Sequence, residues 1–458
     1  MTVGIVLLTA LAAFLRFLYL GSKSFTPDEA FSITFAQAEW GAFRNLLVTS
    51  EANMALYYLL LRIWSHISDM PGFVRALSVL PGIATVPAIY FVGKTLFSRS
   101  AGMIAALLLS VNVFHIMYSQ QARSYSLLVL LVTSSCFLFV RTVRENNSWS
   151  DLGYVLISVA ALYTHFFAAL VLLAQFAWWM SLPSRLRTWN PLRNLVVVSL
   201  MGLPLLFFIA YQGTSHLDWV QRSPHLMKDV YRLFTSFSGS GLKFGTFLLA
   251  LALFTREWWL QANPPDNTSR AESYVFVVLW LLFPLAVTLV ASHWKPMFVP
   301  RFLIIALPAA LVLFGQGLAL IRPRWLCFTV VGAVIFAWFT PITSYYRQPG
   351  ESDWGAAINY LAHNARSGDE LIFVNPYCRF PFDYNLRMSG IRLPNMRIES
   401  GSIIETHQYR TETGHLWVVD FSVHSLEQSL AAARGPRIYL RHTVEFPGVA
   451  IQEFESPK

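Results

Sequence analysis

Apolar runs long enough to cross a hydrocarbon core recur along this chain from its N-terminus to about Pro341 and then stop. A crossing takes roughly 20 residues of helix, because lipid offers the backbone no hydrogen-bond partners and the segment must satisfy itself. Composition points the same way. Of 458 residues, 55% are hydrophobic and only 13% are charged, against about 25% charged in a soluble globular chain. Candidate spans are 3–20, 54–69, 74–96, 101–118, 124–141, 151–181, 194–211, 243–260, 273–291, 301–320 and 325–341. The expected fold class is an α-helical polytopic membrane protein of about eleven transmembrane helices, residues 1–345, followed by a small C-terminal α/β soluble domain, residues 346–458. The first segment has no basic region before it and no small-residue cleavage site after it, so it reads as a first span rather than a removable signal.

The net charge of +9 does not point to nucleic acid, because the basic residues sit mostly in short loops between apolar runs. Turns such as Lys94 to Arg99, Arg141 to Arg144, Arg185 to Arg187 and Arg322 to Arg324 prefer the cytoplasm. That leaves loops 21–53, 212–242 and 292–300, with the tail, for the periplasmic or extracellular side of the plasma membrane. Two features resist this assignment. Arg16 and Lys23 flank the first span on its outer side, and 151–181 reads either as a short hairpin or as one long span. Cys136 and Cys327 lie inside apolar segments and only Cys378 falls in the polar tail, so no disulfide framework can be built from them. The tail predicts a helix over 354–366 opened by Asp353, strands at 370–375, 415–421 and 437–446, and a helix over 425–434. It contains no Gly-rich phosphate loop and no metal-spaced His or Cys cluster, so the chemistry is not expected to reside there, and the sequence requires no cofactor or metal.

Polar residues beside the spans are the candidates for chemistry. Thr26-Pro27-Asp28-Glu29 offers two adjacent carboxylates just outside the first span, and Asp28 is expected as a general base with Glu29 beside it. The same residues also spell a helix start, with Thr26 as N-cap, Pro27 in the first turn and Glu29 closing a capping box. Tyr118 to Tyr125 forms a polar island whose Arg123 guanidinium suits a lipid phosphate, or else snorkels to headgroups. His165, in Tyr163-Thr-His-Phe-Phe167, is either a phosphate or sugar contact or a satisfied buried histidine. Lys295 and Arg301 flank a late span and Arg75 opens an early one, each a possible anchor or part of a donor-phosphate site. His216, Asp218, Trp219, His225 and a Gly239-Ser-Gly241 hinge suit either a mobile cover or a solvated connector.

Four landmarks in order are Pro27-Asp28-Glu29, Leu56-Tyr57-Tyr58-Leu59-Leu60, Ser119-Gln-Gln-Ala-Arg123-Ser-Tyr125 and Pro300-Arg301-Phe302-Leu303. Together they resemble the GT-C superfamily of membrane glycosyltransferases, specifically bacterial relatives of protein O-mannosyltransferases and aminoarabinose transferases. The chain departs from that pattern in having Met54-Ala55 where a Pro often precedes the Leu-Tyr-Tyr element, and Arg301-Phe302 where Arg-Tyr is common. The resemblance implies a GT-C fold and a polyprenyl-phosphate-linked sugar donor, with a glycan, lipid or protein as acceptor. It implies inversion at the anomeric carbon, with Asp28 as base and Glu29 its acidic neighbour. Arg123, His165, Arg301, Lys295 and Arg75 are then expected at the lipid phosphate, and Tyr57, Tyr58 and Tyr125 in the substrate pocket. The alternatives are a polymerase or ligase moving lipid-linked oligosaccharides, with its charges in a late outer loop, and a non-enzymatic lipid or solute transporter.

Overall fold

The computed structural model of the chain describes residues 3–145, 147–184, 186–212, 226–238, 268–348, 350–400, 415–422 and 439–455. The expected span at 243–260 and tail helix at 425–434 lie outside them. The helices are α1 (Val3–Phe17), α2 (Pro27–Gln37), α3 (Trp40–Thr49), α4 (Ala55–Ser65), α5 (Pro71–Leu96), α6 (Arg99–Val111), α7 (Val113–Ser119), α8 (Tyr125–Arg144) and α9 (Ser148–Thr164). They continue as α10 (Ala168–Ser181), α11 (Trp189–Met201), α12 (Leu203–Gln212), α13 (Leu226–Ser238), α14 (Thr268–Ala291), α15 (Leu307–Ala319), α16 (Arg324–Arg347), α17 (Trp354–Asn364) and α18 (Arg379–Ser389). The strands are β1 (Glu370–Phe373), β2 (Arg397–Ser400), β3 (His415–Asp420), β4 (Tyr439–Phe446) and β5 (Val449–Glu455).

Among the described residues, 5 helices are long and apolar enough to cross a membrane, or up to 7 if each of two bent pairs is one span. The protein is a multi-pass membrane protein. The five are α5, α8, α14, α16 and the continuous stretch Phe302–Ala319 that ends in α15. The bent pairs are α6 with α7, at 59°, and α11 with α12, at 42°. Each bend has a local cause. Asn112 leaves the helix, and its side-chain oxygen caps α7 by accepting from the His115 amide at 2.9 Å. Pro204, in the first turn of α12, has no N–H to continue α11.

Two expectations are corrected. Residues 54–69 do not form one helix long enough to cross, since α4 has only 11 residues, about 16 Å of rise, whereas the next helix, α5, is long enough. Arg16 is not a loop charge: it is fully buried, and its guanidinium donates to the carbonyls of Ala12 (3.2 Å), Ser110 (3.1 Å) and Leu109 (3.1 Å) and meets His115 Nδ1 at 2.8 Å. It holds α1 to the break between α6 and α7. Of the two readings of 151–181, the hairpin holds. Tyr154 Oη donates to Gln175 Oε1 at 2.7 Å, although a continuous helix would separate these residues by about 30 Å.

The chain forms two compact units. The first comprises Met1–Leu18, Glu39–Ile63 and Arg75–Tyr345. Its helices associate through small residues and buried hydrogen bonds, as expected where lipid removes the hydrophobic drive between helices. A Cβ on Gly102 of α6 would lie 2.5 Å from the Tyr90 carbonyl oxygen of α5, and one on Gly315 of α15 would lie 2.7 Å from the Ala101 carbonyl oxygen of α6. Elsewhere in the unit, Gln175 Nε2 donates to Ser135 Oγ at 3.1 Å, and Ser135 pairs with Ser158 at 2.8 Å, which joins α8, α9 and α10.

The second unit comprises Tyr19–Ala38, Trp64–Val74 and Tyr346–Lys458. Its five-stranded sheet has the order β2-β1-β3-β5-β4. β1 pairs in parallel with β2 and β3, while β5 is antiparallel to β3 and β4. The inner strand β1, Glu370-Leu-Ile-Phe373, is buried throughout, as a parallel strand covered on both faces must be. Trp354, Ile358, Leu371, Phe373, Phe382 and Trp417 form the core on the helical face. Asp353 caps α17 by accepting from the Ala356 amide at 3.0 Å. The helix and strands expected at 354–366, 370–375, 415–421 and 437–446 appear as α17, β1, β3 and β4, whereas α18, β2 and β5 had no expectation attached.

Candidate active site

The acidic candidates belong to the second unit. Pro27 starts α2 with its fixed φ, and the N-cap is reciprocal: the Glu29 amide donates to Thr26 Oγ1 at 3.3 Å, while the Thr26 amide donates to Glu29 Oε2 at 3.1 Å. Glu29 is fully buried and its carboxylate also accepts from Thr26 Oγ1 at 3.2 Å, so it shapes the helix start. Asp28 is half-buried in the same first turn. Its carbonyl accepts from Ser32 Oγ at 2.7 Å. Of the two adjacent carboxylates, Asp28 is thus the one not committed to the cap.

Arg123 and the two tyrosines of the Leu-Tyr-Tyr element come together in the first unit. The fully buried Tyr58 donates to Glu51 Oε2 at 3.0 Å and accepts from Arg123 Nη1 at 3.4 Å. Tyr57, also fully buried, pairs with Ser78 Oγ at 2.8 Å, and Ser78 Oγ donates to the Arg123 carbonyl at 2.9 Å. Ser78 has one hydroxyl hydrogen, so Tyr57 is the donor in their pair. Tyr57 therefore fixes the backbone of Arg123 through Ser78, and Tyr58 meets its side chain. The rest of the polar island is structural: Gln120 Nε2 donates to the carbonyls of Arg16 and Leu18, both at 2.9 Å, and Gln120 Oε1 accepts from Tyr345 Oη at 2.8 Å.

A third group forms at the α9–α10 turn. His165 caps the C-terminal end of α9, is buried, and accepts from the Phe167 amide at Nδ1, 3.2 Å away. Its ring lies 6.2 Å from that of Tyr125 and 5.0 Å from that of Phe302, and Tyr118 meets Tyr125 edge-on at 5.1 Å. The polar island, the His165 turn and the start of the late span thus converge. Arg301 lies next to this cluster with its guanidinium 5.7 Å from the Phe302 ring centroid. Lys295 sits in a half-buried loop folded around Ser292 Oγ, which accepts from the amides of Met297 (3.2 Å) and Phe298 (3.0 Å). Arg75 is only 4% exposed, too buried for a charge that snorkels to headgroups.

His216, Asp218, Trp219, His225 and the Gly239-Ser240-Gly241 hinge lie outside the described residues, but the stretch read as an outer loop does contain the helix α13. Among the described residues, no three His, Cys, Asp or Glu side chains gather as a metal site requires. Sequence reasoning passed over Glu51 and Ser78. Glu51 stands seven residues before Tyr58, and its only sequence signal is that it is an acidic residue at the end of an outer loop, directly before an aromatic span start.

The family model described as dolichyl-phosphate-mannose-protein mannosyltransferase matches residues 55–211, a stretch that runs from the Tyr57-Tyr58 element through Arg123 and His165. A comparison with curated protein sequences finds no match. Among solved structures, ArnT from Cupriavidus metallidurans bound to undecaprenyl phosphate is similar with a TM-score of 0.60 at 12% identity, over 98% of this chain and 97% of that one. The oligosaccharyltransferase AglB from Archaeoglobus fulgidus, in complex with an inhibitory peptide and a dolichol-phosphate, is similar at 0.53 and 10% identity, over 94% and 70%. The mycobacterial arabinofuranosyltransferase AftD gives 0.51 at 14% identity, over 99% of this chain and 40% of that one. With a family match inside the membrane part and a likeness along the whole length, the chain has the fold that these membrane glycosyltransferases share, and its resemblance to the GT-C superfamily is borne out at the level of fold.

Proposed function

We propose that the protein moves a single sugar from a polyprenyl-phosphate donor to an acceptor hydroxyl, with inversion, on the non-cytoplasmic face of the plasma membrane. The observation that carries this reading is the fold shared over 98% of the chain with a protein solved bound to undecaprenyl phosphate. In the proposed step the acceptor oxygen attacks the anomeric carbon, the bond from that carbon to the phosphate oxygen breaks, and the lipid phosphate leaves with the electron pair. Asp28 takes the acceptor proton. Arg123 binds the phosphate, because a guanidinium presents paired donors to phosphate oxygens. His165, Arg301, Lys295 and Arg75 are its proposed helpers, and Tyr57, Tyr58 and Tyr125 line the pocket, while Glu29 acts through the helix start. The acceptor is a glycan, a lipid or a protein.

Connectivity supports this side of the membrane. Residues 19–38, 64–74 and 346–458 fold as one unit and so share one face. The single crossing of α5 then takes the Lys94 turn to the opposite face, where the positive-inside rule favours it. With Arg16 buried rather than facing water, one of the two residues that resist this orientation no longer counts.

The test is purified protein with a panel of polyprenyl-phosphate sugars, scored by release of free lipid phosphate. Asp28→Asn should cut transfer by about 10²- to 10⁴-fold. Normal transfer by a folded Asp28→Asn protein sinks the base assignment. A second reading has its own support: Glu51, held by Tyr58 and through it tied to Arg123, is a further half-buried carboxylate able to serve as base. A parallel arm with pyrophosphate-linked oligosaccharide donors tests block transfer, the reading that the likeness to AglB favours.

A further inference from the structure

Open α/β sheets offer a ready-made ligand crevice at the carboxyl ends of parallel strands, where successive connections leave a central strand in opposite directions. In the second unit that point lies at the ends of β1 and β3, since β1 has β2 on one side and β3 on the other. The chain itself covers the β1 end of it. From β1 the backbone passes through the turn Pro376–Cys378 into α18, and both pieces meet the helix that carries Asp28. Phe31 of α2 lies edge-on to Phe380 at 5.4 Å and 6.4 Å from Tyr377. Phe25, just before α2, stacks flat on Tyr384 with ring centroids 4.2 Å apart and 2° between planes, and its amide donates to Asn385 Oδ1 at 3.4 Å.

Tyr384 is anchored in turn. Its hydroxyl donates to the Asp69 carbonyl at 2.7 Å, and one turn further along α18 Arg387 pairs with the Asp69 carboxylate at 3.2 Å. Asn385 is oriented by donating to the Pro381 carbonyl at 2.7 Å. α18 thus grips α2 at Phe25 and Phe31, three residues before and three residues after Asp28. Residues three apart on a helix share a face, so the Phe31 contact sets the rotation that aims Asp28, while the Phe25 stack sets its height.

We propose that α18 is a positioning element for the transfer reaction, with Tyr384 and Phe380 as positioning residues that fix the Asp28 carboxylate. The inference rests on the reading of Asp28 as the base. On this view the appended domain contributes to catalysis without contacting the reacting atoms, by using what would be a ligand crevice to hold the base-bearing helix.

The experiment uses the full-length protein in nanodiscs with a polyprenyl-phosphate sugar donor. Phe380→Ala should lower kcat about 10- to 100-fold, the scale of a displacement near 1 Å at a reacting group, with affinity for polyprenyl phosphate unchanged within twofold. Tyr384→Phe keeps the stack on Phe25 and should stay within threefold of wild type, whereas Tyr384→Ala should fall with Phe380→Ala. Should Tyr384→Ala fail to fold, the half-buried Phe380 decides alone. Adding Phe380→Ala to Asp28→Asn should cost nothing further, because the two act through one carboxylate. A folded Phe380→Ala protein with wild-type kcat overturns the proposal, as does an equal loss in kcat and donor affinity. So does a Phe380→Ala loss that persists undiminished on top of Asp28→Asn. Full activity in Asp28→Asn alone brings down the base reading instead, and is seen separately.

Discussion

Deleting one hydroxyl, in Tyr58→Phe, tests the Glu51–Tyr58–Arg123 chain most directly. That hydroxyl donates to the Glu51 carboxylate at 3.0 Å and accepts from Arg123 at 3.4 Å. A hydrogen bond to a charged group contributes about 1.5–3 kcal/mol, but the 3.4 Å contact is near the limit of useful geometry. Glu51 is half-buried and water can replace part of what it loses. The net cost of misorienting Arg123 is therefore about 1–2 kcal/mol, which converts to a roughly 5- to 30-fold weaker Kd for polyprenyl phosphate. Titration calorimetry with undecaprenyl phosphate, on protein in nanodiscs free of polyprenyl lipid, measures this. The informative comparison is the double variant: if Tyr58 acts through Arg123, then Tyr58→Phe in an Arg123→Ala background costs almost nothing more. An unchanged Kd in Tyr58→Phe, or full additivity with Arg123→Ala, refutes the chain.

Glu51→Gln keeps an acceptor for Tyr58 and should reduce transfer by less than about tenfold; a loss of about 10²-fold or more would move the base role from Asp28 to Glu51. Arg16→Leu removes the guanidinium that the Ser110 carbonyl and His115 Nδ1 face, while the Leu109 carbonyl keeps the Asn112 amide as a donor. At about 1–3 kcal/mol each, offset by no longer burying a charge, the net loss should be about 2–4 kcal/mol, and an unchanged Tm in detergent would contradict this. Gly315→Ala places a Cβ 2.7 Å from a backbone oxygen and should lower Tm, whereas at Gly332 nothing lies within 4 Å and alanine should be neutral or slightly stabilising. Burial, and then the Asp420 carboxylate, push the Cys378 thiol up. It stays protonated in the folded chain but ionises above about 8.5 when unfolded, so stability should fall as pH rises past that point. With Cys136 and Cys327 replaced by alanine, alkylation at pH 8.5 should be slow in the native protein and fast in denaturant; fast native labelling would show the thiol to be accessible.

What could be read from sequence was whatever is local. The capping box at Thr26 and Glu29 follows from four consecutive residues, and the long spans follow from apolar length. Arg16 was misread because its partners are backbone carbonyls more than ninety positions away, and a charge beside an apolar run looks the same whether it faces water or a helix break. Glu51 was missed because an isolated carboxylate gains meaning only from the tyrosine and arginine that fold against it. The grouping of Tyr118, Tyr125, His165 and Phe302 was half legible, since each lay in a motif singled out on its own, yet nothing in the spacing says that three separated segments share one turn. α18 escaped because Pro381 and a scatter of charges hide its period, and β2 with only 4 residues is too short to show one.

The second unit also sets a schedule. Phe25 and Asn385 are 360 positions apart, so the helix bearing Asp28 leaves the ribosome long before the surface that grips it. At roughly 5–20 residues per second, the interval is tens of seconds, during which nearly every span is inserted. A chain interrupted anywhere before α18 is then able to reach the membrane and pack its spans while its acidic helix lacks a mount. On the proposed mechanism, such copies would be inserted with a base that nothing yet holds in place.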